Sequence, residues 1–217
     1  MNTINETKKK IFLITSEESG ATIGALLMKR LKKEFNNNVE FYGIGNTKMC
    51  DEGLNMTYNI KDISYMGIFE VARHINQIVD ILIKTEQQIR ELQPDAVISI
   101  DSQDFSKRLF QRIKDFQTLK FQYVAPSVWA WRKNRAKQLK GLVDYIFTLF
   151  PFENKFFEKY GIKTYCVGHN IIENNLLFNS DEQESSEVLQ WIIKDSENPN
   201  SKIISILSNS TNTLSVW

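Results

Sequence analysis

Three features of the sequence predict a doubly wound α/β fold, a parallel sheet covered by helices on both faces. Short apolar runs recur along the chain, each gives way to a polar loop, and most loops lead into a segment with apolar residues at helical spacing. Strands alternating with helices in this way pair in parallel and are buried on both sides. At 217 residues the chain is long enough to bury a core without disulfides or metal.

Taken in order, Ile11–Thr15 reads as a buried strand, and Ala21–Phe35 as a helix with Ile23, Leu27 and Leu31 four residues apart. Val39–Gly43 is a second strand. From Ile68 to about Leu92, the residues Val71, Ile75, Ile78, Val79 and Leu82 mark one long helical face, which Pro94-Asp95 ends. Ala96–Ile100 is a strand running into Asp101. Further strands are expected at Lys120–Val124, Tyr145–Phe150, Thr164–Val167 and Ile203–Leu207, with helices around Phe105–Phe116, Lys133–Leu142 and Glu153–Tyr160. Residues 179–202 change character, with an acidic, serine-rich SDEQESSE run and the last proline, and read as a linker. From Ile203 to Trp217 no residue is charged. The expected organisation is one Rossmann-like domain over residues 1–178, the linker, and the first strand of a further unit at 203–217.

Composition is that of an ordinary globular protein, with 42% hydrophobic and 24% charged residues. A net charge of +1 excludes a nucleic-acid binder driven by bulk charge. Cys50 and Cys166 stand far apart, and neither they nor His74 and His169 have metal-ligand spacing, so no metal is expected. The apolar run after the N-terminal lysines is too short for a signal peptide, and no stretch approaches a spanning helix.

Open parallel sheets bind ligands beyond the carboxyl ends of their strands, which selects the loops to inspect. Ser16-Glu17-Glu18-Ser19-Gly20 follows the first strand and leads into a helix, whose free N–H groups suit an anionic or polyhydroxyl ligand. The alternative is an ordinary turn capped by Ser19 or Glu17. Asp101 sits where a general base is useful, and Asp104 reads equally as a helix cap or first-turn acid. Ala125-Pro126-Ser127-Val128-Trp129-Ala130-Trp131-Arg132 is the most unusual segment, and Arg132–Lys140 holds five basic residues. Cations beside amphipathic aromatics suit phosphate-bearing or membrane-surface ligands, and equally a core tryptophan loop with a solvated basic helix. His169, in a turn after a strand, reads as a ligand contact or a cap.

Together these segments resemble the lipid-A-disaccharide synthases. IFLITSEESG is similar to that family's opening strand, loop and helix, with Glu17, Ser19 and Gly20 matching. Tyr65–Val71 resembles its M-G-x-x-E-V segment, and Ile100–Phe105 its I-D-x-P-D-F, with Gln103 where proline is usual. YVAPSVWAWR, followed by Arg135, is the most specific match, and Phe150–Glu153 and Val167–His169 continue in register. The resemblance implies an inverting glycosyltransferase of two Rossmann-like domains (GT-B-like), this chain being the N-terminal one. The reaction implied joins UDP-2,3-diacylglucosamine to 2,3-diacylglucosamine 1-phosphate, needs no cofactor or metal, and takes place on the inner face of the cytoplasmic membrane. By the same resemblance Asp101 is the base. Glu17, Ser19, Gly20, Ser127, Trp129, Trp131, Arg132, Arg135 and His169 are substrate contacts. Phe69, Val71, Ile75, Ile78 and Val79 form an acyl-chain or membrane face. A homodimer is implied for the full-length family, and no nucleic acid partner. Where the family continues P-G-S-R this chain has Ser208-Asn209-Ser210-Thr211, which leads us to expect a truncated chain, inactive alone, with a non-enzymatic lipid-binding remnant as the alternative.

Overall fold

The computed structural model describes residues 8–64, 68–126 and 134–167, with backbone alone over 68–73. Its strands are β1 (Lys9–Thr15), β2 (Val39–Gly45), β3 (Leu54–Asn59), β4 (Ala96–Ile100), β5 (Leu119–Tyr123), β6 (Tyr145–Thr148) and β7 (Lys163–Cys166). The helices are α1 (Glu18–Glu34), α2 (Thr47–Asp51), α3 (Ile68–Leu92), α4 (Gln103–Arg112), α5 (Asn134–Leu139) and α6 (Asn154–Glu158). All strand pairs are parallel, in the order β3-β2-β1-β4-β5-β6-β7. That is the doubly wound arrangement predicted. Its direction of winding reverses between β1 and β4.

Successive residues of a strand face opposite sides of a sheet, and β1 uses both. Ile11 and Leu13 enter one core with Leu27, Met28 and Leu31 of α1. Phe12 and Ile14 enter the other, with Ile81, Leu82 and Ile89 of α3 and Leu109 and Phe110 of α4. A strand buried on both faces is largely apolar, which is why β1 and β4 are legible as runs. Gly43, with φ +134°, is required where β2 passes β1, because a Cβ there would sit 1.9 Å from the Leu13 carbonyl oxygen.

The sequence reading omits β3 and α2. In β3 only Leu54 is buried and Met56 is exposed, the pattern of an edge strand covered by little, so no apolar run marks it. The helix α4 begins at Gln103 and ends at Arg112, earlier at both ends than the Phe105–Phe116 expected, and β6 stops at Thr148 because Phe150 caps a 3₁₀ turn, Pro151–Glu153. The expected strand Ile203–Leu207, the linker 179–202 and the segment 203–217 lie outside the described residues.

At the amino edge of the sheet two aspartates do the same structural work. The backbone N–H of Asp95 donates to the Lys10 carbonyl at 2.9 Å, and its carboxylate accepts from the Lys10 N–H and the Lys9 ammonium, each at 2.8 Å. Asp144 repeats the device one layer along, its N–H donating to the Lys120 carbonyl at 2.9 Å and its carboxylate accepting the Lys120 N–H at 2.8 Å. Each aspartate ties the start of one strand to its neighbour.

Candidate functional site

Between β1 and β4 the two loops that leave the sheet diverge to opposite faces, opening a crevice at the carboxyl rim. That geometry brings Ser16, Ser19 and Gly20 of the first loop against Asp101 of the second. The Asp101 N–H donates to the Tyr123 carbonyl at 3.1 Å, and its own carbonyl accepts from the Ser16 hydroxyl at 3.2 Å. Among the described residues its carboxylate receives the Ser19 hydroxyl alone, at 3.5 Å, the outer limit of a hydrogen bond. Burial pushes the Asp101 carboxyl above its ordinary range, and the Ser19 contact only partly offsets that. A half-buried carboxylate with one weak donor is a better proton acceptor than a solvated one.

Backbone strain gathers at the same place. Asp101 has φ +48° and Val124, at the end of the adjacent β5, has φ +67°. A β-branched residue in the left-handed region is a genuine outlier, held only when its surroundings over-determine it. Gly20 lets the start of α1 come close, since a Cβ there would meet the Ile100 carbonyl oxygen at 3.0 Å and the Asp101 Cβ at 3.4 Å. The buried hydroxyls of Thr15, at the end of β1, and Ser102, at the start of α4, have no hydrogen-bond partner among the described residues.

The capping alternative for the first loop does not hold. Glu17 occupies the N-cap position of α1 without a side-chain capping bond, and the Ser19 hydroxyl turns to Asp101 instead. Glu17 is exposed. Its neighbour Glu18, which sequence reasoning passes over, accepts from the buried Asn46 side chain at 2.7 Å and so ties the β1 and β2 loops together. Asp104 lies in the first turn of α4, where its charge favours the helix end.

Beside Asp101 along the rim, an open cleft lies between α4 and α5. Its polar lining is Gln103, Asp104 and Lys107 from α4, Gln122 from β5, and Arg135 and Gln138 from α5. Arg135 donates to the Gln103 side chain at 2.8 Å and more loosely to the Asp104 carboxylate at 3.4 and 3.5 Å. Lys107 donates to the Gln138 side chain at 2.6 Å. Lys107 and Gln138 were not candidates from the sequence. Helical spacing puts Lys107 one turn after Gln103 and Gln138 three residues after Arg135, but it does not bring the two helices together.

Other sequence candidates divide. Ser127, Trp129, Trp131, Arg132 and His169 lie outside the described residues, as do the side chains of Phe69 and Val71. On α3, Ile75 and Val79 are exposed, whereas Ile78 packs against the inner core, so the expected apolar outer face loses one member to the interior. No helix among the described residues is long and apolar enough to cross a membrane.

The family profile described as lipid-A-disaccharide synthetase matches residues 11–210, the rim loops included. The chain belongs to this family. Among curated relatives, lipid-A-disaccharide synthases of Rhodospirillum centenum and Hydrogenovibrio crunogenus are 36% and 39% identical to it. The first alignment covers 76% of this chain and 41% of the relative, the second 72% and 42%. A third, from Bradyrhizobium diazoefficiens, is 36% identical over 82% of this chain and 47% of its own length. The chain thus spans less than half the length of these synthases. Solved structures of UDP-N-acetylglucosamine 2-epimerases share its fold. One has a TM-score of 0.58 at 12% identity, covering 85% of this chain and 55% of that one. The Neisseria meningitidis enzyme bound to UDP-GlcNAc has a TM-score of 0.53 at 13% identity, covering 87% and 54%. For a lipid-A-disaccharide synthase the Rossmann-like sheet described above is therefore the fold, and the Asp101 crevice falls within the matched part of the family.

Proposed function

We propose that this chain carries the acceptor-side half of an inverting glycosyltransferase. That enzyme condenses UDP-2,3-diacylglucosamine with 2,3-diacylglucosamine 1-phosphate to give lipid A disaccharide and UDP. The observation that carries the proposal is Asp101, raised in basicity by burial and placed at the switch point of the sheet in a chain of this family. In this reading the acceptor hydroxyl enters the crevice, Asp101 takes its proton, and the oxygen attacks the anomeric carbon of the donor. The bond from that carbon to the diphosphate breaks, configuration inverts, and UDP departs with the electron pair.

Ser19 and Gly20 hold the first loop against Asp101, and Glu17 stands exposed at the mouth. Ser127, Trp129, Trp131, Arg132 and His169 belong to the same substrate-binding surface by their place in the family pattern, with Arg135 beside them. We assign residues 1–178 to this domain, with 179–202 as a linker to a donor-nucleotide unit beginning at 203. Ile75 and Val79, exposed on α3, support a peripheral seat on the inner face of the cytoplasmic membrane, where both acylated substrates reside.

Transfer in a hybrid enzyme tests the reading. Residues 1–178 replace the matching part of the Rhodospirillum centenum synthase, and disaccharide is measured from both substrates. The hybrid is expected to turn over, and Asp101→Asn to slow it by about 10²–10⁴-fold, the usual worth of a positioned general base. Equal turnover with and without the Asp101 carboxylate would remove the base assignment.

A further inference from the structure

The cleft between α4 and α5 holds two cations whose charges are poorly compensated. Among the described residues Lys107 pairs with no carboxylate, and its contact is the neutral Gln138 side chain. Arg135 has one acidic partner, Asp104, at 3.4 Å, well beyond the 2.7–2.9 Å of a strong charge-assisted bond, and the Asp104 side chain is 81% exposed. Half-buried cations held by carboxamides rather than by carboxylates keep their attraction for an anion. Gln103 and Gln138 fix the positions of the two charged groups without neutralising them. Pro126 and Leu139 provide an apolar wall, which lowers the local dielectric and strengthens a charge contact. The cleft also adjoins the reaction centre, because Gln103 and Asp104 follow Asp101 directly and the Asp101 N–H is bonded to β5 at Tyr123, just before Pro126.

We propose that Arg135 and Lys107 form a phosphomonoester subsite that holds the anomeric phosphate of a glucosamine 1-phosphate headgroup, with Gln103 and Gln138 as its positioning side chains. The proposal rests on the acceptor-side reading above and adds the place of the phosphate and three residues, Lys107, Gln103 and Gln138. A guanidinium offers two parallel N–H donors to phosphate oxygens and an ammonium a compact charge, so the pair suits a doubly charged terminal phosphate better than a diester. When the phosphate enters, Asp104 is free to turn into solvent.

The test uses the 217-residue chain and three soluble probes: glucosamine 1-phosphate, inorganic phosphate and UDP-N-acetylglucosamine, whose two phosphates are both diesters. Titrations are followed by the amide resonances of α4 and α5. Glucosamine 1-phosphate is expected to shift those resonances and to bind at least tenfold more tightly than UDP-N-acetylglucosamine, with inorganic phosphate moving the same resonances at higher concentration. Arg135→Gln and Lys107→Gln should each weaken it about tenfold, as loss of one charge-assisted contact does. Lys114→Gln, beyond the C-terminal end of α4, should leave it unchanged, and melting curves of all variants should match the wild type. Tighter binding of UDP-N-acetylglucosamine would transfer the site to the donor diphosphate and overturn the proposal. Unaltered affinity in both glutamine variants, or no shift up to 20 mM in the wild type, would overturn it too. The two readings fail separately. Loss of the subsite leaves the dependence of hybrid turnover on Asp101 intact, and an inactive hybrid leaves Arg135- and Lys107-dependent binding intact.

Discussion

The two edges of one sheet treat their aspartates in opposite ways. At the amino edge Asp95 and Asp144 each accept a backbone N–H at 2.8 Å and lock neighbouring strands in register. At the carboxyl rim Asp101 accepts, among the described residues, a single hydroxyl at 3.5 Å, adopts a left-handed backbone and has its carboxyl raised by burial. The same side chain is a stabilising staple where donors surround it and a group whose charge is costly to hold where they do not. Position in a parallel sheet decides which, because helices and loops close over the amino edge and diverge at the switch point.

Substitution should expose that contrast, most strongly at the amino edge. Asp95→Ala and Asp144→Ala each leave an inward-facing strand N–H without its acceptor, and each should cost about 2–3 kcal/mol in chemical denaturation. Smaller losses would mean that water replaces the carboxylate and that the staple is weak. At the rim, Gly20→Ala places a methyl 3.0 Å from the Ile100 carbonyl. The start of α1 must then move away from Asp101, at about 1–2 kcal/mol by overpacking, with weakened acceptor binding out of proportion to that loss.

The smallest effect is electrostatic and has the opposite sign. A carboxyl raised on folding holds its proton to higher pH in the native state than in the unfolded chain. Its contribution to stability therefore falls as pH rises from the ordinary value of 3.8 through the raised folded value, and stays low above it. Asp101→Asn removes that decline, and asparagine tolerates the left-handed backbone. The variant should thus gain stability relative to wild type as pH increases across that window, measured by paired melts. A gap that narrows with pH would show that Asp101 is stabilised as an anion.

What could be read from the sequence follows the same division. The strand Ala96–Ile100 has the bounds expected of it, because a strand buried on both faces is mostly apolar, here interrupted by Ser99 alone. Asp101 could be read for the same reason, as the first charge after such a run. Its meeting with Ser19 depends on the strand order, which sets β4 beside β1 and which alternating β and α segments alone do not fix. The edge strand β3 was not legible, since one buried residue makes no pattern. Nor was the turning of Ile78 to the core, which depends on how α3 packs on its neighbours. Lys107 and Gln138 become a pair only when α4 and α5 pack side by side, a tertiary fact no local spacing contains.

The central claim is that the rim aspartate serves chemistry and the edge aspartates serve the fold. Measuring Asp101→Asn against Asp144→Asn in the hybrid synthase, with stability and turnover per folded molecule read from the same preparations, tests it most directly. The account predicts that Asp101→Asn keeps or gains stability while turnover falls by about 10²–10⁴-fold, and that Asp144→Asn loses stability while turnover per folded molecule holds. Asp101→Asn that melts early, or that still transfers at the wild-type rate, would contradict it.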